Sequence, residues 1–326
     1  VSAAGSFLHT LQNGLGGSIP VERFMAEALY NPAFGYYSTR IHSVGRHGDF
    51  STMATLDQSL ARRIATWIQK ENCRDVIEIG AGSGQLAHSI LQSLGWWKRQ
   101  RIRYHIVEIS PPLQEVQKKL LQGRSVTWHD SLPSALEHVR GTAHIFSNEL
   151  VDAFPCRVFE LADEGWQELH IRIEGGRIEE ILKPATLPDS TIFKFEFAKG
   201  QRIEVHESYR SWLEMWAPYW KAGAMLTIDY GDTMPALHHR RRLGSMRGYA
   251  AHQRLTGPDI YQAPGRCDLT ADVNFSDLEK WGLALAWRTL THCTLDKFIG
   301  AGLDARFQAA SNTFRVLEQS PPLPVD

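Results

Sequence analysis

The stretch Val76-Ile-Glu-Ile-Gly-Ala-Gly-Ser-Gly-Gln-Leu-Ala87 carries the clearest chemistry in the chain. Glycines at 80, 82 and 84 permit a sharp turn and let a ligand approach the backbone closely. A helix opening behind such a turn presents free N–H groups, which gives a cofactor cradle at the carboxyl end of a strand. Glu78, in the last turn of that strand, suits a cationic ligand better than a pyrophosphate. Glu108 closes the next apolar run, where an acid can hold both hydroxyls of a ribose. Two cofactors compete. Gly82-Ser-Gly84-Gln-Leu-Ala87 formally matches the dinucleotide pattern G-x-G-x-x-A, which would make the chain an NAD-linked oxidoreductase. That match starts two residues past the expected strand end, and counting from Gly80 puts Gln85 where the third glycine belongs. A turn that uses glycine only for packing is the plainer alternative.

The elements that must position these residues follow from periodicity. Asp75-Val-Ile-Glu-Ile reads as a buried strand, with a helix from about Gln85 to Leu94 behind the glycine turn. Ile102 to Ile109 is a second strand, followed by a helix around Leu113 to Leu121; Ser125 to Trp128 and Ala143 to Ser147 are a third and a fourth. Strands alternating with helices indicate parallel βαβ units. Upstream, residues 18–30 read as a helix with Ser18 as N-cap and Pro20 in the first turn, and residues 55–71 as another, with Leu56, Leu60, Ile64, Trp67 and Ile68 on one stripe. Residues 156–206 break the rhythm with the short alternating runs CRVFEL, WQELHIRIE, GRIEEIL, TIFKFEF and QRIEVH, and Gly175-Gly176 signals a hairpin. They predict an antiparallel β insertion. A helix at about 207–221 then leads to a core strand at Ala224 to Asp229, and the tail from Phe275 gives a helix and a strand at about Leu283 to Leu290. The expected organisation is an N-terminal helical segment (1–72), an α/β core (73–155 and 207–326) and a β-rich insertion (156–206).

Composition bounds the class. Hydrophobic residues make 43% and charged residues 22% of 326, which excludes disordered, collagenous and disulfide-scaffold chains. A formal net charge of -1 gives no global basic field, so bulk binding of nucleic acid or of an anionic membrane is not implied. Cys73, Cys156, Cys267 and Cys293 lie far apart, without a C-x-x-C pair. No HxH or HExxH spacing supports a metal site, no apolar run approaches the length of a spanning helix, and Val1 to Gly17 carries no secretory pattern. The expectation is a soluble intracellular enzyme with no membrane insertion.

The E-x-G-x-G-x-G turn resembles the first motif of S-adenosylmethionine (SAM) methyltransferases. Further blocks make the match specific: SIPVERFMAEALYNPAFGYY (18–37), GRHGDFST (45–52), EIGAGSGQLA (78–87), VEISPPLQ (107–114), SNELVDAFP (147–155), LTIDYGD (226–232), SMRGYAAH (245–252) and PGRCDLTADVNF (264–275). Together they resemble the MidA-like methyltransferase family, which includes the mitochondrial complex I assembly arginine methyltransferase. The match spans about residues 18–300. Met53-Ala-Thr55 stands where the family continues with Ser-Pro-Glu, Ala81 and Ser83 stand where it often has Pro and Arg, and its usual C-terminal Gln is absent around His292-Cys293.

The resemblance implies a Rossmann-like class I methyltransferase core with a mostly parallel sheet, SAM as cofactor, and arginine on a partner protein as acceptor, with a noncatalytic SAM-binding assembly factor as the alternative. Gly80, Gly82 and Gly84 would contact the methionine portion, Glu78 its cationic end, and Glu108 the ribose. Asp130 would bind the adenine amine or cap the helix before Leu132-Pro-Ser-Ala, and Asp49 would line the SAM pocket or form a turn. Asn148, Glu149 and Asp152 would bind the acceptor at the end of the fourth strand. Two carboxylates three residues apart face one cavity if that turn is helical, and can hold a guanidinium by charge-assisted hydrogen bonds. Arg247, Tyr249 and His252 resemble a substrate-side loop. His238-His-Arg-Arg-Arg242 reads as a solvated segment, and Trp96-Trp97 as core or a contact surface. The compartment would be the cytoplasm of a bacterium or the mitochondrial matrix of a eukaryote, with a homodimer as a further possibility and no nucleic-acid partner.

Overall fold

The computed structural model describes residues 3–40, 58–69, 73–175, 177–239, 241–250, 253–302 and 311–322. Its strands, numbered along the chain, are β1 (Ile19–Pro20), β2 (Asp75–Ile79), β3 (Arg103–Val107), β4 (Val126–His129), β5 (His144–Asn148), β6 (Arg157–Ala162), β7 (Gly165–Glu174) and β8 (Arg177–Lys183). They continue as β9 (Arg202–Val205), β10 (Met225–Asp232), β11 (Arg247–Ala250), β12 (Gln253–Leu255), β13 (Asp268–Thr270), β14 (Val273–Asn274), β15 (Arg288–Thr294) and β16 (Phe314–Ser320). The chain forms two compact units, one of residues 42–150, 212–232 and 278–326, the other of residues 1–41, 151–211 and 233–277. These boundaries differ from the segments expected above: residues 1–41 and 233–277 join the β insertion. The reason is strand pairing, because Ile19 and Pro20 extend the insertion sheet along β7 (Ile19↔Ile171, Pro20↔His170).

The first unit is built on a sheet in the order β15-β16-β10-β5-β2-β3-β4. β4, β3, β2, β5 and β10 run parallel, and β16 is antiparallel to both its neighbours. Every residue of β2 is buried, as a strand covered on both faces requires. The helix Gln58–Trp67 packs Leu60, Ile64 and Trp67 into a core shared with Leu86 and Ile90 of the helix Gln85–Ser93, Ile106, Phe146, Leu226, Ile228 and Val316. At about 25 cal/mol per Å² of apolar surface removed from water, such side chains each contribute on the order of 1.5–3 kcal/mol. The expected strand at 283–290 is displaced: the helix Phe275–Ala284 runs through its start and the strand begins at Arg288.

The second unit holds a sheet in the order β1-β7-β6-β9, with β8 beside β7. The antiparallel pairing follows the alternating runs of the sequence, and the β7–β8 hairpin closes at Glu174↔Arg177. A small sheet, β12-β11-β13, completes it. Two expectations fail here. Ser18 caps no helix: the helix starts at Val21, and the Ser18 hydroxyl instead lies 3.1 Å from His170 Nδ1, because the preceding residues are drawn into the sheet edge. TIFKFEF is not a strand. The Asp277 carboxylate accepts from Ser190 Oγ (2.6 Å), Thr191 N (2.6 Å) and Thr191 Oγ1 (2.7 Å), which holds 191–194 in a single 3₁₀ turn.

Candidate active site

The glycine turn leaves β2 at its carboxyl end, between β3 and β5, where the parallel order reverses direction. Ligands of open α/β sheets bind at such switch points. Gly80, Gly82 and Gly84 have φ of 67°, 53° and 79°, a region that L side chains enter only at a cost. Gly80 N donates to Val107 O at 2.9 Å. A Cβ on Gly80 would stand 2.8 Å from Leu150 Cδ1, so the turn packs directly on the chain leaving β5. Gly84 occupies the N-cap of the helix Gln85–Ser93 without a side-chain cap, which leaves the helix N–H groups for a ligand.

Glu108 follows β3 and is buried. Its Oε1 accepts from Ser110 N at 2.9 Å and its Oε2 from Gln117 Nε2 at 3.0 Å. The same Gln117 nitrogen donates to Gly82 O at 2.8 Å, and Gln117 Oε1 accepts from Trp128 Nε1 at 3.0 Å. One fully buried glutamine therefore ties the glycine turn to the acid. Each carboxylate oxygen keeps a lone pair, so Glu108 can accept a ribose diol. Burial pushes its pKa up, against the hydrogen bonds from Ser110 and Gln117. Glu78 is buried and accepts from Tyr104 Oη at 2.8 Å. Burial pushes its carboxyl up to about 7, with the hydrogen bond from Tyr104 lowering it and the charge of Glu108 raising it further. A carboxylate so placed is completed by a cation. Asp130 follows β4 and is exposed; it is not the helix cap, since Ser131 Oγ accepts from Ser134 N at 3.3 Å.

Asn148 ends β5. Its Nδ2 donates to Glu149 Oε1 at 3.2 Å, while its Oδ1 is buried without a hydrogen-bond partner. Glu149 has φ of 54°, unusual for a residue other than glycine, and its N–H donates to Ile228 O at 2.9 Å. The buried Asp229 braces the turn, accepting from Leu150 N at 3.0 Å and from Tyr230 N at 2.9 Å. The left-handed Glu149 breaks the helical turn that would have put residues 149 and 152 on one face; the next turn is a 3₁₀ segment, Val151–Ala153. Thus the structure gathers Glu78, Gly80, Gly82, Gly84, Glu108, Asn148 and Glu149 at the carboxyl ends of β2, β3 and β5. Asp152 belongs to the second unit, is buried, and accepts from Ala271 N at 3.0 Å through its carbonyl. Asp49 and His252 lie outside the described residues. Sequence reasoning missed Gln117 and Asp229 as site-building residues.

Within the second unit, the expected solvated segment 238–242 is partly buried. His238 is buried, and Arg241 pairs with Asp272. Arg247 pairs with the other oxygen of Asp272 and donates through Nε to Tyr249 Oη at 3.1 Å. Burial works to raise the Asp272 pKa, but Arg247 and Arg241 outweigh it and hold the carboxyl below its ordinary range.

Positive-φ glycines before a helix and a buried acid after the next strand thus lie at the switch point of an open, mostly parallel sheet, where such folds bind their ligands. Residues 59–293 match the family model described as "Putative S-adenosyl-L-methionine-dependent methyltransferase", and the chain belongs to that family. It is a SAM-dependent methyltransferase of the MidA-like group, and the oxidoreductase reading falls with that assignment. Among its relatives, "Protein arginine methyltransferase NDUFAF7, mitochondrial" of Danio rerio is 29% identical over 299 residues, covering 81% of this chain and 68% of the relative. The protein of the same name from Homo sapiens is 28% identical over 308 residues, covering 81% and 65%. The chain thus spans about two thirds of the length of these relatives. A Burkholderia thailandensis protein, a "likely methyl transferase" solved with S-adenosyl-homocysteine, superposes with a TM-score of 0.86 at 26% identity, covering 99% of this chain and 93% of its own.

Proposed function

We propose that this chain transfers the methyl group of SAM to an arginine side chain of a partner protein, with Asn148 and Glu149 engaging the acceptor. The carrying observation is the buried, unpartnered Asn148 Oδ1 beside Glu149, at the carboxyl end of a strand next to the glycine turn. A buried carbonyl oxygen without a donor is costly, and an N–H from a ligand removes the penalty. The relatives named as protein arginine methyltransferases support arginine as the acceptor. In this reading Gly80, Gly82 and Gly84 admit the methionine portion, Glu78 faces its ammonium, Glu108 accepts the ribose hydroxyls, and Asp130 flanks the nucleoside.

When bound, SAM supplies a methyl carbon activated by positive sulfur. The protein has to align a nitrogen lone pair with that carbon. Asn148 Oδ1 accepts one guanidinium N–H and the Glu149 carboxylate another, which localises positive charge away from the attacking nitrogen. An N–C bond would form as the S–C bond breaks, with the electron pair staying on sulfur and the nitrogen's proton passing to solvent. Arginine keeps its proton in water at neutral pH, so orientation and charge localisation matter more than prior deprotonation. The test is transfer from methyl-labelled SAM to proteins of an extract, followed by total hydrolysis. Label in methylarginine is expected; label confined to methyl-lysine or to base-labile methyl esters would refute the arginine acceptor.

A further inference from the structure

The parallel strands of the first unit have a second edge, away from the glycine turn. A basic residue stands at or just before the amino end of each of four neighbouring strands: Arg124 before β4, Arg101 and Arg103 at β3, Arg74 before β2, and Arg140 before β5. Arg74, Arg101 and Arg140 are exposed and Arg124 is half-buried. The segment entering β3 reads Trp96-Trp-Lys-Arg-Gln-Arg-Ile-Arg103, four basic residues and no acid. Trp96 and Trp97 are 56% and 78% exposed, with ring centroids 4.5 Å apart at 79°. A cleft of about 360 Å³ opens on the same edge, lined by Asp75, Arg103, His138, Val139 and Arg140. Among the described residues near these strand starts, Asp75 is already held by Arg103 and by His105 Nε2 at 3.1 Å, and Glu137 is exposed.

Basic residues near helix carboxyl ends complement the helix dipole, which accounts for Arg140 and His138 beyond the helix Leu132–His138. It does not account for two adjacent indoles left in water. Exposed tryptophans flanked by Lys and Arg are the side chains that settle at the boundary of headgroups and acyl chains, apolar ring inward and N–H toward water. Among the described residues, the opposite edge carries the acids Glu108, Asp130 and Glu149, and its Arg315 is held by Asp232.

We infer that the amino-end edge docks peripherally on an anionic phospholipid bilayer: Trp96 and Trp97 enter the interfacial layer, Arg74, Arg101, Arg124 and Arg140 face lipid phosphates, and the cleft beside Arg103 and Arg140 admits a headgroup phosphate. Charge complementarity selects this occupant. Each basic side chain at an anionic surface strengthens binding about fivefold at physiological salt. In this orientation the acidic, site-bearing edge faces water. No helix among the described residues is long and apolar enough to cross a membrane, so the attachment is on the surface.

The experiment is flotation of the full chain with vesicles of phosphatidylglycerol and phosphatidylcholine, against vesicles of phosphatidylcholine alone. Wild type is expected to float with the anionic vesicles only and to be released by high salt. The double variant Trp96→Ala/Trp97→Ala should lose at least about tenfold in partitioning, with an unchanged circular dichroism spectrum, since both side chains are exposed. The charge variant Arg74→Glu/Arg101→Glu should behave likewise. Brominated lipid should quench tryptophan emission in wild type and not in the double variant. Absence of flotation, equal flotation with neutral vesicles, or wild-type partitioning of the double variant would overturn the proposal. So would binding to polyglutamate in place of vesicles with the same variant sensitivity, which would make the edge a site for an acidic protein segment.

Discussion

At the scale of single residues, the proposed cofactor site rests on the conformation of the glycine turn and on the burial of the acids around it. Gly82 sits at φ 53° in the turn, and a β-branched residue there is strained by on the order of 1–2 kcal/mol while adding methyls where the ligand must approach. We expect Gly82→Val to fold and to lose SAM binding by calorimetry; unchanged affinity would remove the turn from the site. Gln117 is the hinge of the Glu108 network. Gln117→Ala should weaken SAM by about 1–3 kcal/mol, the range for hydrogen bonds to charged groups, because Glu108 loses its orientation and Trp128 Nε1 its acceptor. An unaltered dissociation constant would show that the network is only structural. Glu78, pushed up to about 7 by burial, gives a pH signature. Its charged form is the one that a cationic ligand stabilises. Affinity for SAM should therefore be full above pH 7 and fall as pH drops below it, at most tenfold per unit. Glu78→Gln should flatten that profile, and an equally steep profile in the variant would assign the titration elsewhere.

At the scale of elements, the parallel strands are legible because strands covered on both faces read as short apolar runs ending in glycine or an acid, as Asp75–Ile79 and Arg103–Val107 do. The acids that follow them were legible for the same reason: what comes after a parallel strand comes to the switch point. Other features carry no local signal. β16, FRVLEQS, buries Gln319 and Ser320, so its sequence lacks the apolar run of a core strand. TIFKFEF alternates like a strand, yet Asp277, more than eighty residues on, fixes it as a turn. Gln117 and Asp229 act through partners far along the chain, which periodicity cannot reveal. The segment after β9 supports a prediction of its own. His206 is fully buried, its Nε2 has no hydrogen-bond partner, and burial lowers its pKa to about 4. A histidine depressed below its unfolded value near 6.5 stabilises the fold above that value and loses the contribution as pH falls toward 4, about 3 kcal/mol in all. Denaturant melts of wild type and His206→Gln should converge on acidification over this window; parallel curves would show that His206 does not titrate on unfolding.

At the scale of the whole chain, numbering by sequence order the seven strands of the large sheet that belong to the first unit gives 3-2-1-4-5-7-6, with the last strand antiparallel to its neighbours. That order puts the reversal between the first and fourth strands, which are the two that carry the glycine turn and Asn148-Glu149. The glycine turn and Asn148-Glu149 therefore meet because of topology, and a Cβ on Gly80 would stand 2.8 Å from Leu150 Cδ1 at that junction. We propose that this junction transfers methyl groups to arginine with Glu149 holding the acceptor. The deciding measurement is made on one preparation of Glu149→Gln beside wild type: SAM affinity, melting temperature and the rate of methylarginine formation on an identified substrate. Near-normal SAM affinity is expected, with a rate lowered by about thirty- to a thousandfold, equivalent to roughly 2–4 kcal/mol of lost transition-state stabilisation. Normal turnover per folded molecule, whether or not the melting temperature falls, would contradict it.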